Sequence, residues 1–177
     1  MAFSASSYIL TGAAVDTRTR DQLSFNLLAH PQAMSLYVRF VEMGTITIAS
    51  AYVLYIGNAS VFLEIDSTGT FYRAQYNNGI SAAVNSTLAA APTVGQRVEL
   101  LLTLTAGGII TLSQSINEGA ISTAASGAAR VLPSVWGATT LWVNSFSTAG
   151  VGFNAFRNIE IMGGVQTMQV MRVRAGV

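Results

Sequence analysis

The sequence predicts an all-β chain, an antiparallel sandwich or barrel of short strands. Segments rich in Val, Ile, Thr and aromatic residues recur along it: SLYVRFVE, AYVLYIG, VFLEID, TFYRAQY, RVELLLTLT, IITLSQSI, TTLWVNSF and FRNIEIMGG. Turn chemistry separates them at Asp66-Ser67-Thr68-Gly69, Asn77-Asn78-Gly79, Ala106-Gly107-Gly108 and Asn117-Glu118-Gly119. Asn-Gly and Gly-Gly supply the positive φ angles that tight hairpins require. No stretch holds a helical period beyond three turns.

Taken in order, residues 1–20, with Asp16-Thr17-Arg18-Thr19-Arg20, read as an arm or edge strand leading into one domain over residues 21–177. In SLYVRFVE, Leu36, Val38 and Phe40 share one side, and Tyr37 and Val41 join Arg39 on the other. AYVLYIG and VFLEID follow as a hairpin pair. TFYRAQY alternates Tyr72 and Tyr76 with Arg73. A two-residue turn with positive φ at Asn78 and Gly79 would join it to ISAAVN, whose small side chains leave both rings uncovered. The alternative is that another loop of the same chain covers them. RVELLLTLT carries Val98, Leu100, Leu102 and Leu104 on one clean face, and Arg97, Glu99, Leu101, Thr103 and Thr105 on the other. One apolar face and one mixed face fit a sheet with a dry side and a covered or concave side. Trp142, inside TTLWVNSF, reads as core. VQTMQVMRV fits a short helix or the last strand equally well.

Composition narrows the function classes. The 177 residues suffice for one sizeable core. Only 10% of them are charged, where about 25% is usual. The formal net charge of +1 provides no broad field to recruit nucleic acid or anionic lipid. All nine basic residues are arginine, which reads first as genomic composition and second as a preference for planar, bidentate contacts. Cysteine is absent, so disulfides and thiolate metal sites are excluded. The opening MAFSASSYILTGAAVD lacks the basic and apolar regions of an ordinary secretory signal. Long uncharged stretches are interrupted by Gly, Asn, Ser, Thr or Pro, against a membrane-spanning helix. A surface this poor in charge is expected to rest against copies of itself or a larger assembly.

The order of features carries a resemblance. QLSFNLLAHPQAMSLYVRFVEMG precedes a hairpin pair ending in FLEIDSTGTFYRAQYNNG; then come PTVGQRVELLLTLTAGGIITLSQSINEGA and FNAFRNIEIMGG. This succession over residues 20–177 resembles laminin-G-like and concanavalin A-like lectin/glucanase domains. The resemblance implies a jelly-roll sandwich of two antiparallel sheets, one of them concave. Lysine-poor, Ala- and Thr-rich domains of this length are also similar to structural proteins of tailed bacteriophages.

Laminarinase-like glucanases of that fold carry Glu-x-Asp-x-x-Glu on a strand of the concave sheet. Glu64 and Asp66 match the first two positions, but the third is Gly69. Retaining hydrolysis needs two carboxyl groups roughly 5–5.5 Å apart in opposite protonation states. Strand rise alone separates Glu64 and Asp66 by roughly 6.5–7 Å, and no separate proton donor follows. The triplet therefore reads as flanking a turn, with the Asp66 side chain accepting from a backbone N–H two residues on. His30, the one histidine, precedes Pro31 and reads as a loop or strand end. No zinc or calcium ligand pattern is present, and Thr148 to Gly152 is followed by no Lys that would make it a phosphate cradle.

Aromatics provide the plausible ligand surface. Tyr72, Arg73 and Tyr76 are expected to face a partner or a glycan, and Trp136, beside Gly137, reads either as a pocket lid or as a packed interface. The expected function is a non-enzymatic virion structural protein without cofactor: a capsid decoration or cement protein, or a tail or spike module. Its partners would be other virion proteins and its own copies. The alternative is a carbohydrate-binding, lectin-like module.

Overall fold

A computed structural model describes residues 23–26, 33–43, 49–58, 60–79, 84–88, 91–133, 140–143 and 154–176. The expected arm at 1–20, together with His30, Trp136 and the 148–152 stretch, lies outside the described residues. A six-stranded sheet is built from β1 (Leu23–Asn26), β3 (Ala49–Gly57), β4 (Val61–Thr68), β5 (Tyr72–Asn78), β6 (Val84–Thr87) and β10 (Thr140–Val143). A five-stranded sheet is built from β2 (Met34–Glu42), β7 (Arg97–Leu104), β8 (Ile110–Ile116), β9 (Ser122–Ala125) and β11 (Asn154–Gly163). Their orders are β1-β10-β3-β4-β5-β6 and β11-β2-β7-β8-β9. Every pairing is antiparallel. This is the jelly-roll sandwich that the resemblance implied.

The core lies between the sheets, and the period-2 pattern fills it. Leu36, Val38 and Phe40 on β2 and Val98, Leu100, Leu102 and Leu104 on β7 face Leu63 and Ile65 on β4. Tyr72 and Tyr76 are core residues, 2% and 0% exposed, which corrects their expected place at a contact surface. The Tyr72 ring meets Phe40 edge-on at 5.7 Å. The Tyr76 hydroxyl donates to the Val131 carbonyl at 3.1 Å, so a loop of the same chain closes over it. Gln114 shares the inward face of β8 with Ile110 and Leu112, and neither of its amide atoms has a hydrogen-bond partner among the described residues.

Two expected turns differ in detail. Between β5 and β6, Gly79 has φ +79 but Asn78 does not enter the left-handed region, and Tyr76 pairs with Val84. A longer connection therefore replaces the two-residue turn. Two consecutive positive φ angles occur instead at Asn117 and Glu118, 52° and 61°, closed by Gly119 N–H donating to the Ile116 carbonyl at 3.0 Å. At the β4–β5 turn the Ser67 and Thr68 hydroxyls accept from the Gly69 and Phe71 N–H groups, at 3.0 Å each. Asp66 takes no part in that turn.

The segment that fitted helix or strand is a helix, α1 (Met168–Ala175), capped by the Thr167 hydroxyl accepting from the Val170 N–H and by Gly176 at φ 74. It lies on the outer face of the five-stranded sheet, where Met168 and Met171 pack on Tyr37 and Leu101. Arg172 donates to Glu99 and to the Ser115 hydroxyl beneath it, and the Tyr37 hydroxyl donates to the other Glu99 oxygen at 2.8 Å. Among the described residues no helix is long and apolar enough to cross a membrane.

Candidate functional site

The opposite outer face, on the six-stranded sheet, gathers polar and aromatic side chains. Since Leu63 and Ile65 point inward, Phe62, Glu64 and Asp66 must point outward. The register lines up Ser24, Trp142, Tyr55, Glu64, Gln75 and Asn85 in one row across all six strands. A second row holds Tyr52, Asp66, Arg73 and Thr87.

Tyr52 and Tyr55 are three residues apart and would lie on opposite faces of a regular strand. The β3–β4 pairing shifts between Tyr52 and Leu54. The bulge sends Val53 and Leu54 both to the core and leaves both tyrosines outside. Their rings meet edge-on at 5.5 Å, and Tyr55 stacks on Phe62 at 5.7 Å. The turn after β3 fixes this register. Gly57 sits at φ +120, where a Cβ would fall 2.1 Å from the Val61 carbonyl oxygen. Asn58 Oδ1 then accepts from the Ser60 and Val61 N–H groups at 2.9 Å each.

Among the described residues the face carries one ion pair. Arg73 Nε donates to Asp66 Oδ1 at 2.9 Å and its Nη2 donates to Asp66 Oδ2, a bidentate grip across directly paired positions. Asp66 is 1% exposed. Burial raises its carboxyl above the ordinary value, while the hydrogen bond and charge of Arg73 pull it back. Glu64 is 3% exposed and is paired directly with Gln75 across the β4–β5 ladder. Burial, reinforced by the nearby Asp66 charge and opposed by Arg73, pushes it up to about 8. Glu64 is therefore a protonated acid at neutral pH, and Asp66 with Arg73 forms a neutral pair. Glu64 and Asp66 do not flank a turn; they are buried mid-sheet, because β4 continues through Thr68.

Of the site residues read from the sequence, Arg73 lies on this face. Tyr72 and Tyr76 lie on the other side of β5, and Trp136 is outside the described residues. Trp142, expected in the core, is half-buried on the outer face, because its neighbours Leu141 and Val143 take the inward positions. Sequence reasoning missed Tyr52, Tyr55 and Gln75. The parity of Glu64 finds Gln75 once the hairpin register is known, but the bulge hides Tyr52. Among the described residues no group of three His, Cys, Asp or Glu is placed to hold a metal.

No protein-family model matches the chain, and no curated protein is similar to it in sequence. Solved structures are similar in fold. The LG1-3 region of the laminin alpha2 chain superposes with a TM-score of 0.59 at 14% identity, over 81% of this chain and 30% of that one. The enzymatically active domain of bacteriophage CBA120 tailspike protein 2 gives 0.60 at 14% identity, over 82% and 24%. The Ruminococcus gnavus IT-sialidase CBM40 bound to alpha2,3 sialyllactose gives 0.55 at 11% identity, over 82% and 83%. The chain thus spans less than a third of the first two. At these identities the likeness is one of architecture, and the architecture is the concanavalin A-like jelly roll.

Proposed function

We propose that this chain is a non-enzymatic, glycan-recognising jelly-roll module of a virion, carried on a tail or spike. One observation carries the reading: the outer face of the six-stranded sheet sets Tyr52, Phe62, Arg73 and Trp142, all half-buried, around the buried carboxyls of Glu64 and Asp66. Aromatic rings beside amide and acid groups are what a sugar needs, apolar C–H faces for stacking and hydroxyls for pairing. Binding without hydrolysis fits the chemistry. Asp66 is committed to Arg73, and Gly69 stands where a second acid would be needed. Similarity to a phage tailspike and to a sialyllactose-bound module supports the setting. The low charge and missing lysine are consistent with it. A glycan array probed with the intact protein tests the reading, with Trp142→Ala as the control. Binding that is absent from the array, or untouched by Trp142→Ala, removes this face from the function.

A decoration or cement role on the shell is a second reading, favoured by the exposed valines of the C-terminal segment. Val165, Val170 and Val173 are 54%, 43% and 78% exposed. Light scattering of the protein alone and mixed with virion shells tests it. A monomer that stays off the shells argues for the glycan reading alone.

A further inference from the structure

We infer that the outer face of the six-stranded sheet selects uncharged glycans and rejects acidic ones, such as chains capped with sialic or uronic acid. The inference rests on the glycan-binding reading above and adds the class of sugar. The charged groups on this face, among the described residues, are Glu64, Asp66 and Arg73. Arg73 is the single cation, and its Nε and Nη2 are both spent on Asp66. A sugar carboxylate approaching the accessible margin of Trp142, Tyr52 and Arg73 meets no uncompensated positive charge. It meets a guanidinium whose charge the buried Asp66 carboxylate behind it already balances, and it must shed its own water to do so.

A neutral sugar brings groups the floor can match. Hydroxyls both donate and accept, and so does a protonated carboxyl such as Glu64. Burial favours that protonated state. Charges below such a face act through protein rather than water, so screening by salt weakens them little.

The test is an array that holds neutral oligosaccharides beside the same chains capped with sialic acid or carrying a uronic acid, probed at pH 6.5. The expected result is binding to neutral spots, with each acidic counterpart at least about tenfold weaker. Asp66→Asn releases Arg73 from its carboxylate and should raise binding to the acidic counterparts at least about tenfold, reversing the preference. Should Asp66→Asn fail to fold, Arg73→Gln removes the cation and leaves the Asp66 carboxylate unanswered; it should weaken the acidic counterparts further, and acidic binding that rises in it overturns the inference. Equal or stronger binding of acidic spots by the unmodified protein overturns the selectivity while leaving glycan recognition standing. Binding to no spot overturns both.

Discussion

Glu64→Gln should stabilise the protein, and increasingly so as pH rises. Glu64 is 3% exposed, and burial pushes its carboxyl up from 4.5 to about 8 on folding. A carboxyl whose folded value is raised holds its proton in the native state after the unfolded chain has released it. Stability from this group is therefore complete below about pH 4.5 and is lost as pH climbs towards 8. At about 1.4 kcal/mol per pH unit the ceiling is about 5 kcal/mol, and water entry and local relaxation reduce it to roughly 2–5 kcal/mol by pH 8. Glutamine preserves the shape and removes the proton. Urea unfolding of both proteins at pH 5, 6.5 and 8 should give curves that nearly coincide at the acid end and then separate. At about 2–4 °C per kcal/mol for a chain of this size, the melting temperatures at pH 8 should differ on the order of 5–15 °C. Asp66 is raised in the same direction, and its charge is part of what raises Glu64, so the difference between the two proteins reports the coupled pair. Unfolding curves that keep a constant separation from pH 5 to 8 would refute the reasoning, because the carboxyl would then be solvated in the native state.

Three further substitutions probe the assignments of face. Tyr76→Ala should cost roughly 3–5 kcal/mol, since the ring is fully buried in the core; denaturant unfolding measures it, and a small loss would return Tyr76 to the surface. Gln114→Leu should stabilise by about 1–3 kcal/mol by removing an amide buried without partners, read as a rise in urea midpoint at constant slope. Glu99→Gln should act in the opposite sense to Glu64→Gln, costing about 1–3 kcal/mol, because Glu99 accepts from both Arg172 and Tyr37. Faster hydrogen exchange confined to helix α1 would locate that loss.

Much of the architecture was legible because strands report their faces by alternation. The clean rows Leu36-Val38-Phe40 and Val98-Leu100-Leu102-Leu104 are the core rows observed. The candidate site was less legible, for physical reasons that differ by residue. Tyr72 and Tyr76 alternate with Arg73, and the sequence does not say which set faces inward. The small residues of ISAAVN suggested uncovered rings, but the opposing sheet and the carbonyl of Val131 cover them. Trp142 looked like core by hydrophobicity alone, yet Leu141 and Val143 fit the interior and the indole takes the outer row. Tyr52 and Tyr55 were beyond parity altogether. A bulge at Val53 breaks the period of two, and nothing in AYVLYIG announces it.

The two outer faces treat their buried acids differently. On the outer face of the five-stranded sheet, helix α1 covers Tyr37 and Leu101 with Met168 and Met171, and the buried carboxylate of Glu99 has its charge answered by Arg172 and its other oxygen by Tyr37. Every polar group in that trio has a partner, so the arrangement adds to stability or at least does not subtract from it. On the six-stranded sheet, Arg73 grips Asp66 through two hydrogen bonds and reaches Glu64 only by its charge. Two carboxyls share one guanidinium, and the surplus is carried as a proton. A leucine at position 64 would cover the same area without that cost. A group that lowers stability at its own position, beneath a ring-lined margin, is the kind of local inconsistency that accompanies a functional surface. The stability gain expected of Glu64→Gln and the sugar preference expected of the unmodified protein are thus two consequences of one buried proton.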